Sequence, residues 1–162
     1  MNIQTILLEM CAFFGKDIKR VNHLLKVYAF AQMIGKAQGL DDRTQQIVEV
    51  AAAVHDIGIK ESERKYGSSA GKYQEKEGPP LAKELLSSLG CDPQVIQRVC
   101  YLVAHHHTYD AVDGMDYRIL LEADFLVNAF EDGLSEYALY QAKRKIFRTD
   151  AGKVLLKDLY GV

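Results

Sequence analysis

Apolar residues recur every three or four positions along almost the whole chain, and this spacing is what most constrains the fold. Such spacing places apolar side chains on one face of an α-helix, whereas a half-buried strand would need strict alternation. We find no convincing alternating segment, so the sequence predicts an all-α fold, a compact bundle of several helices. The predicted helices are 2–14, 17 to about 38, 41 to near 58, 78–90, one beginning at Asp92-Pro93, 116–130, 134–147 and 150–159.

One long segment lacks this spacing. Residues 59–77 are polar and contain glycine, which predicts a long loop, and long loops inside compact domains are often functional. Gly78-Pro79 is predicted to start the next helix, because proline is tolerated in the first helical turn.

Size and composition limit the function classes. The chain has 162 residues, 48% of them hydrophobic, which is enough for one core, so we expect a single domain over 1–162. Its net charge of −2 argues against a nucleic-acid-binding surface, because phosphate backbones select for basic patches. No segment approaches the roughly 20 apolar residues of a membrane span. The first residues carry no basic leader, and three cysteines without paired spacing fit a reducing cytoplasm.

Histidine and aspartate are placed as metal ligands would be. His55 and Asp56 are adjacent at the end of an apolar helix, His23 precedes them, and Asp124 lies in a helix so apolar that its inward face must be buried. A buried carboxylate needs a cation or several donors to offset its desolvation. Imidazole with carboxylate suits Mn, Fe, Co, Ni or Zn, with Mg also possible. Taken singly, each of these residues could equally be an ordinary core histidine or a hydrogen-bonded carboxylate.

Helical phase distinguishes three consecutive histidines. His106 follows the inward stripe of Val99 and Leu102, and His107 follows the adjacent stripe. His105 shares a face with polar neighbours and is expected to face solvent. His106 and His107 are therefore the better ligand candidates.

The order of these residues resembles the HD-domain superfamily of metal-dependent phosphohydrolases. Members have a histidine on an early helix, an adjacent His-Asp, often further histidines, and a late aspartate. The resemblance covers about residues 18–130, with 131–162 similar to the helical tail of small members. It implies a bundle of HD-domain type around a metal site, held by His23, His55, Asp56 and Asp124. It further implies hydrolysis of a phosphoester of a nucleotide or related small metabolite by metal-activated water.

The resemblance leaves the number of metals open. His106 and His107 are candidates for a second metal or for the substrate phosphate. Members with two metals usually have a histidine where this chain has Gln74, and Glu75 or Glu77 could supply an oxygen instead, with Glu75 favoured. One mononuclear site remains an alternative.

The resemblance also suggests roles in catalysis. Asp56 is the predicted catalytic residue, since it could bridge two ions. Lys60, Arg64 and Lys65 are candidates for binding the substrate phosphate, although solvated loop residues would look the same. We expect a small phosphorylated substrate and a monomer or homodimer. A di-iron oxygenase of the same fold and a non-catalytic nucleotide-binding module are alternative functions.

Overall fold

The computed structural model describes residues 2–162, and within them the chain forms nine α-helices and no strand. The predicted all-α fold is therefore confirmed. The helices are α1 (Ile3–Phe14), α2 (Ile18–Ala37), α3 (Asp42–Val54), α4 (Ile59–Tyr66), α5 (Gly71–Ser88), α6 (Pro93–Val103), α7 (Met115–Glu131), α8 (Glu136–Lys145) and α9 (Asp150–Tyr160).

Helix α3 lies at the centre of the bundle and contacts α1, α2, α6 and α7. Its residues 50–54 are all buried, so this helix presents apolar surface on every side rather than one stripe. Helix α2 packs along both α3 and α7, and α6 packs against α3 and α5. Helix α3 is therefore surrounded by α1, α2, α6 and α7, and the His-Asp pair follows its last residue.

The local sequence accounts for several helix boundaries. Asp17 accepts a hydrogen bond from the backbone of Arg20, and Asp41 accepts two from the first turn of α3. Gly15 and Gly67 end their helices with positive φ angles, which glycine adopts without steric cost. Helix α3 stops at Val54, four residues before the predicted end, and residues 55–58 form turns.

The prediction of a loop over residues 59–77 is wrong. Helix α4 occupies most of its first half, and α5 begins at Gly71 rather than at the prolines. Pro79 and Pro80 lie inside α5, although proline removes a helical hydrogen bond and crowds the preceding turn. At the prolines α5 packs closely against α6: a Cβ added at Gly78 would lie 2.7 Å from Val103 of α6.

Helix α4 is held mainly by polar contacts. Only Ile59 and Ser62 of its eight residues are buried, and the Ser62 hydroxyl donates to the carbonyl of Gly58. Lys65 pairs with Glu77 of α5. No helix within residues 2–162 is long and apolar enough to cross a membrane.

Candidate metal centre

Four predicted ligands meet where α2, the end of α3 and α7 converge. His23 Nε2 lies 3.3 Å from His55 Nε2, 3.3 Å from Asp56 Oδ2 and 3.2 Å from Asp124 Oδ1. His55 Nε2 lies 3.4 Å from the same oxygen of Asp56 and 3.5 Å from that of Asp124. We call these four residues the first cluster.

The spacing of the first cluster fits a bound transition metal. Ligands bound at about 2.0–2.2 Å to one ion lie roughly 3.0–3.5 Å from one another. The imidazole and carboxylate atoms of the first cluster are separated by 3.2–3.5 Å. The four residues are therefore placed like ligands around one centre.

The other ring nitrogen of each histidine fixes the tautomer. Nδ1 of His55 lies 2.8 Å from the carbonyl of Ala52, and Nδ1 of His23 lies 2.9 Å from Glu131 Oε2. A carbonyl can only accept, so the proton of neutral His55 is on Nδ1 and its Nε2 lone pair faces the cluster. The Glu131 carboxylate has the same effect on His23, and Lys26 lies 2.9 Å from that carboxylate. Such partners orient metal-ligating histidines and increase their basicity.

A second cluster lies on the α6 side and shares Asp56. The Oδ1 of Asp56 is 3.4 Å from His106 Nε2, whereas its Oδ2 faces His23 and His55. Asp56, His106 and His107 each offer a ligand atom, and all three atoms lie within 4.8 Å of one another. We call these three residues the second cluster; Asp56 is positioned to bridge two ions.

Unpaired buried atoms concentrate around the two clusters. Among residues 2–162, five buried side-chain atoms lack a hydrogen-bond partner, and four belong to His106, His107, Asp124 and Gln74. Leaving a buried donor or acceptor unpaired costs about 1–3 kcal/mol. Bound cations would satisfy the Nε2 atoms of His106 and His107 in the second cluster and the Asp124 oxygen in the first, so these residues fit a metal centre.

The electrostatics of the clusters favour positive charge. Burial opposes protonation of His55, but the carboxylates of Asp56 and Asp124 outweigh it and raise its pKa well above the usual value. Burial likewise opposes ionisation of Asp56, but His55 and His106 hold its pKa well below the usual range. Burial and the neighbouring His106 lower the pKa of His107 to about 4, which leaves its imidazole neutral and able to bind a metal at neutral pH.

Both clusters border a cavity of about 470 Å³. Five carboxylates and only two basic side chains line it, so a phosphate would be repelled unless cations were bound.

The two basic residues that line the cavity, Lys19 and Arg20, were not predicted from the sequence. They lie four and three residues before His23 on the same face of α2, and this spacing could have identified them. The lining residues that carry charge are Asp17, Lys19, Arg20, Asp56, Asp124, Glu131 and Asp132.

The three cations predicted to bind phosphate lie elsewhere. The Lys60 ammonium donates to the backbone carbonyl of Phe13 and lies over its ring. Arg64 pairs with Glu61, and Lys65 pairs with Glu61 and with Glu77. None of the three lines the cavity, because residues 59–66 form a helix that turns these side chains toward other partners.

The two glutamates proposed as replacement ligands join neither cluster. Glu75 Oε1 accepts hydrogen bonds from the His107 backbone, at 3.0 Å, and from the Thr108 hydroxyl, at 2.9 Å. Glu77 binds Lys65 and the Tyr66 hydroxyl. Glu75 therefore stabilises the turn that carries His107, rather than facing the cavity itself.

His105 points away from both clusters, as helical phase indicates. Its Nδ1 lies 2.7 Å from the carbonyl of Tyr101, and its ring stacks on the Tyr101 ring at 4.2 Å between centroids. His106, by contrast, is fully buried.

Comparisons with known proteins point to one family. The sequence matches the family model of the HD domain over residues 20–146. No curated protein matches it significantly. The fold is similar to the crystal structure of a predicted HD superfamily hydrolase from an uncultured Thermotogales bacterium, with a TM-score of 0.67 and 23% sequence identity. That similarity covers 98% of this chain and 83% of the other.

Proposed function

The chain belongs to the HD-domain family, and we propose that it is a metal-dependent phosphohydrolase acting on a nucleotide or a related small phosphorylated metabolite. The observation that carries the proposal is the pair of ligand clusters that share Asp56 at an acidic cavity. The structural relative, described as a predicted hydrolase, supports the same reaction class.

The residues of the first cluster would hold one ion, and Asp56, His106 and His107 would hold a second. A divalent ion at such a site supplies Lewis-acid stabilisation of phosphoryl oxygens and lowers the pKa of bound water toward neutrality. Asp56 presents one oxygen to each cluster and thereby fixes their separation. His55 and His106 donate through Nδ1 to backbone carbonyls, which holds their rings rigidly as ligands.

The cavity supports a small substrate. Its volume of about 470 Å³ falls in the range of about 300–1,000 Å³ that is usual for small-molecule sites. Lys19 and Arg20 are among the residues that line it, and their cationic groups would pair with substrate phosphate oxygens. Arg20 is also held by Asp17 and Glu63, so its position is fixed before a substrate binds.

The proposal is tested with purified protein, whose metal content is measured before and after removal of metal. The metal-free protein is then supplied with Mn, Co, Ni, Fe, Zn or Mg and assayed on a panel of nucleotides and simple phosphoesters. We expect phosphate release that depends on metal and is lost in His55→Ala and Asp56→Ala. Hydrolysis that survives in both variants at full metal content would overturn the proposal.

The same preparations separate the alternative functions. Oxygen consumption by the iron-loaded protein, without phosphate release, would instead indicate a di-iron oxygenase. Tight nucleotide binding without turnover with any metal would indicate a regulatory module.

A further inference from the structure

One buried amide oxygen beside the second cluster lacks a partner. Gln74 is only 6% exposed and lines the same cavity as Asp56 and His107. Its Oε1 is buried and accepts no hydrogen bond. Because an unpaired buried acceptor is costly, this oxygen is expected to face a donor or a cation.

The other half of the amide fixes which atom faces the cavity. Nε2 of Gln74 donates to the backbone carbonyl of Ser69 at 2.6 Å. A carbonyl oxygen can only accept, so rotating the amide by 180° would bring two acceptors together. The amide therefore directs Oε1 away from Ser69.

Packing places Gln74 next to both parts of the second cluster. A Cβ at Gly71, one turn earlier on α5, would lie 2.7 Å from the ring of His107. A Cβ at Gly58, two residues after Asp56, would lie 3.0 Å from the carbonyl of Gln74. The turn of α5 that precedes Gln74 thus contacts the His107 ring, and the Gln74 backbone lies against the turn that carries Asp56.

We propose that Gln74 Oε1 is a ligand of the cation held by Asp56, His106 and His107. This rests on the proposed metal centre, but not on the substrate. The first cluster contributes two carboxylates, whereas the second would contribute one shared carboxylate and a neutral amide. With less negative charge, the second position binds its ion more weakly and exchanges it with the medium. Its occupancy then follows the free concentration of the metal.

The test is a calorimetric titration of metal-free protein with Mn²⁺. For the unmodified protein we expect two binding events with clearly different affinities. Gln74→Leu removes the oxygen and should weaken the second event by at least about 10–100-fold, the loss seen when mere outer-shell partners of a metal are removed. The first Mn²⁺-binding event should be unchanged, and its presence would show that the variant has folded.

The chain offers a matched control in Gln45. Its Oε1 is also buried without a partner, while its Nε2 donates to the Gln32 carbonyl and to Glu49. It lies on α3 away from both clusters, so Gln45→Leu should leave both Mn²⁺ events unchanged. An equal loss of the second event in this variant would mean that the effect is one of general stability, and would overturn the proposal.

A second variant should increase the affinity for the second Mn²⁺ rather than decrease it. Gln74→Glu places an anionic oxygen at the same distance from the backbone but replaces the Nε2 donor to the Ser69 carbonyl with an acceptor, so we expect the second Mn²⁺ to bind more tightly, by less than the added charge alone would give. Electron paramagnetic resonance should show a spin-coupled Mn²⁺ pair at lower metal concentration in Gln74→Glu and at higher concentration in Gln74→Leu. A single Mn²⁺ per chain, or a second affinity unaffected by both variants, contradicts the proposal. Two ions without phosphate release would refute only the hydrolase function.

Discussion

The two ligand clusters are built on opposite sides of Asp56 and differ in charge. The first cluster takes its residues from α2, the end of α3 and α7, includes two carboxylates, and is supported by Glu131 behind His23. The second takes its histidines from the turn after α6, and among residues 2–162 Asp56 is the only carboxylate grouped with them. Because the first cluster has one more carboxylate than the second, we expect it to hold its cation more tightly.

Removing the shared residue should have the largest effect. We expect Asp56→Ala to lose both ions and to lower any phosphohydrolase activity by at least about 10²–10³-fold, because groups that stabilise charge in the transition state have effects of this size. Metal content by mass spectrometry and initial rates are the measurements. Asp110→Asn, an exposed aspartate outside the clusters, is the control. Retention of two ions in Asp56→Ala would show that the clusters are independent.

Removing one histidine from each cluster should show which binding event belongs to which cluster. His55→Ala is expected to abolish tight metal binding, whereas His106→Ala should abolish only the weaker binding event. Both side chains are fully buried, so the two substitutions leave comparable cavities in the core. Calorimetric titration with Mn²⁺ measures each event, and identical losses in the two variants would argue for a single mixed site.

The carboxylate behind His23 should affect the first cluster alone. Glu131→Gln keeps the shape but removes the charge that orients His23, so we expect about 10–100-fold weaker binding of the first ion. The second ion should bind as before. Glu136→Gln, on the exposed start of α8, controls for the loss of one negative charge. An unchanged first affinity in Glu131→Gln would mean that the Glu131 contact does not support the site.

The smallest effect is expected at the cavity rim. Lys19 lines the cavity, whereas Lys60 is bound to the carbonyl of Phe13. We expect Lys19→Ala to raise KM by about tenfold or less, with kcat nearly unchanged, because an exposed charge contributes little. Lys60→Ala should change neither constant. Steady-state assays measure both constants. A higher KM in Lys60→Ala, with no change in Lys19→Ala, would support the phosphate-binding role that the sequence suggested for Lys60.

Part of the site was predictable because it depends on local pattern. Asp124 lies in an apolar helix, so its buried carboxylate needs a compensating positive charge. Helical phase alone predicted that His106 and His107 face inward and that His105 does not. Glu131 was not predictable, since its contact with His23 joins α7 to α2 across 108 positions of the chain. The same holds for Gln74, whose environment depends on how α5 packs against the end of α3.

The misread segment shows why local signals failed there. Glycines and two prolines in residues 67–80 predict an interrupted chain, yet α5 runs through Pro79 and Pro80. An internal proline destabilises a helix by about 3 kcal/mol, and the packing of α5 against α4 and α6 can outweigh this cost. Because α4 also forms, Lys60, Arg64 and Lys65 are held by other residues instead of reaching the cavity.

The sequence by itself determined the all-α architecture, most helix boundaries and the motif of His23, His55-Asp56 and Asp124, because each depends on spacing within one or a few turns. Only the tertiary structure decided that Asp56 faces two clusters, that Glu131 supports one of them, and that Gln74 rather than Glu75 lies beside the other. The physical reason is that these relations join helices far apart in the chain. Their geometry depends on how the bundle packs, which periodicity within a helix does not encode.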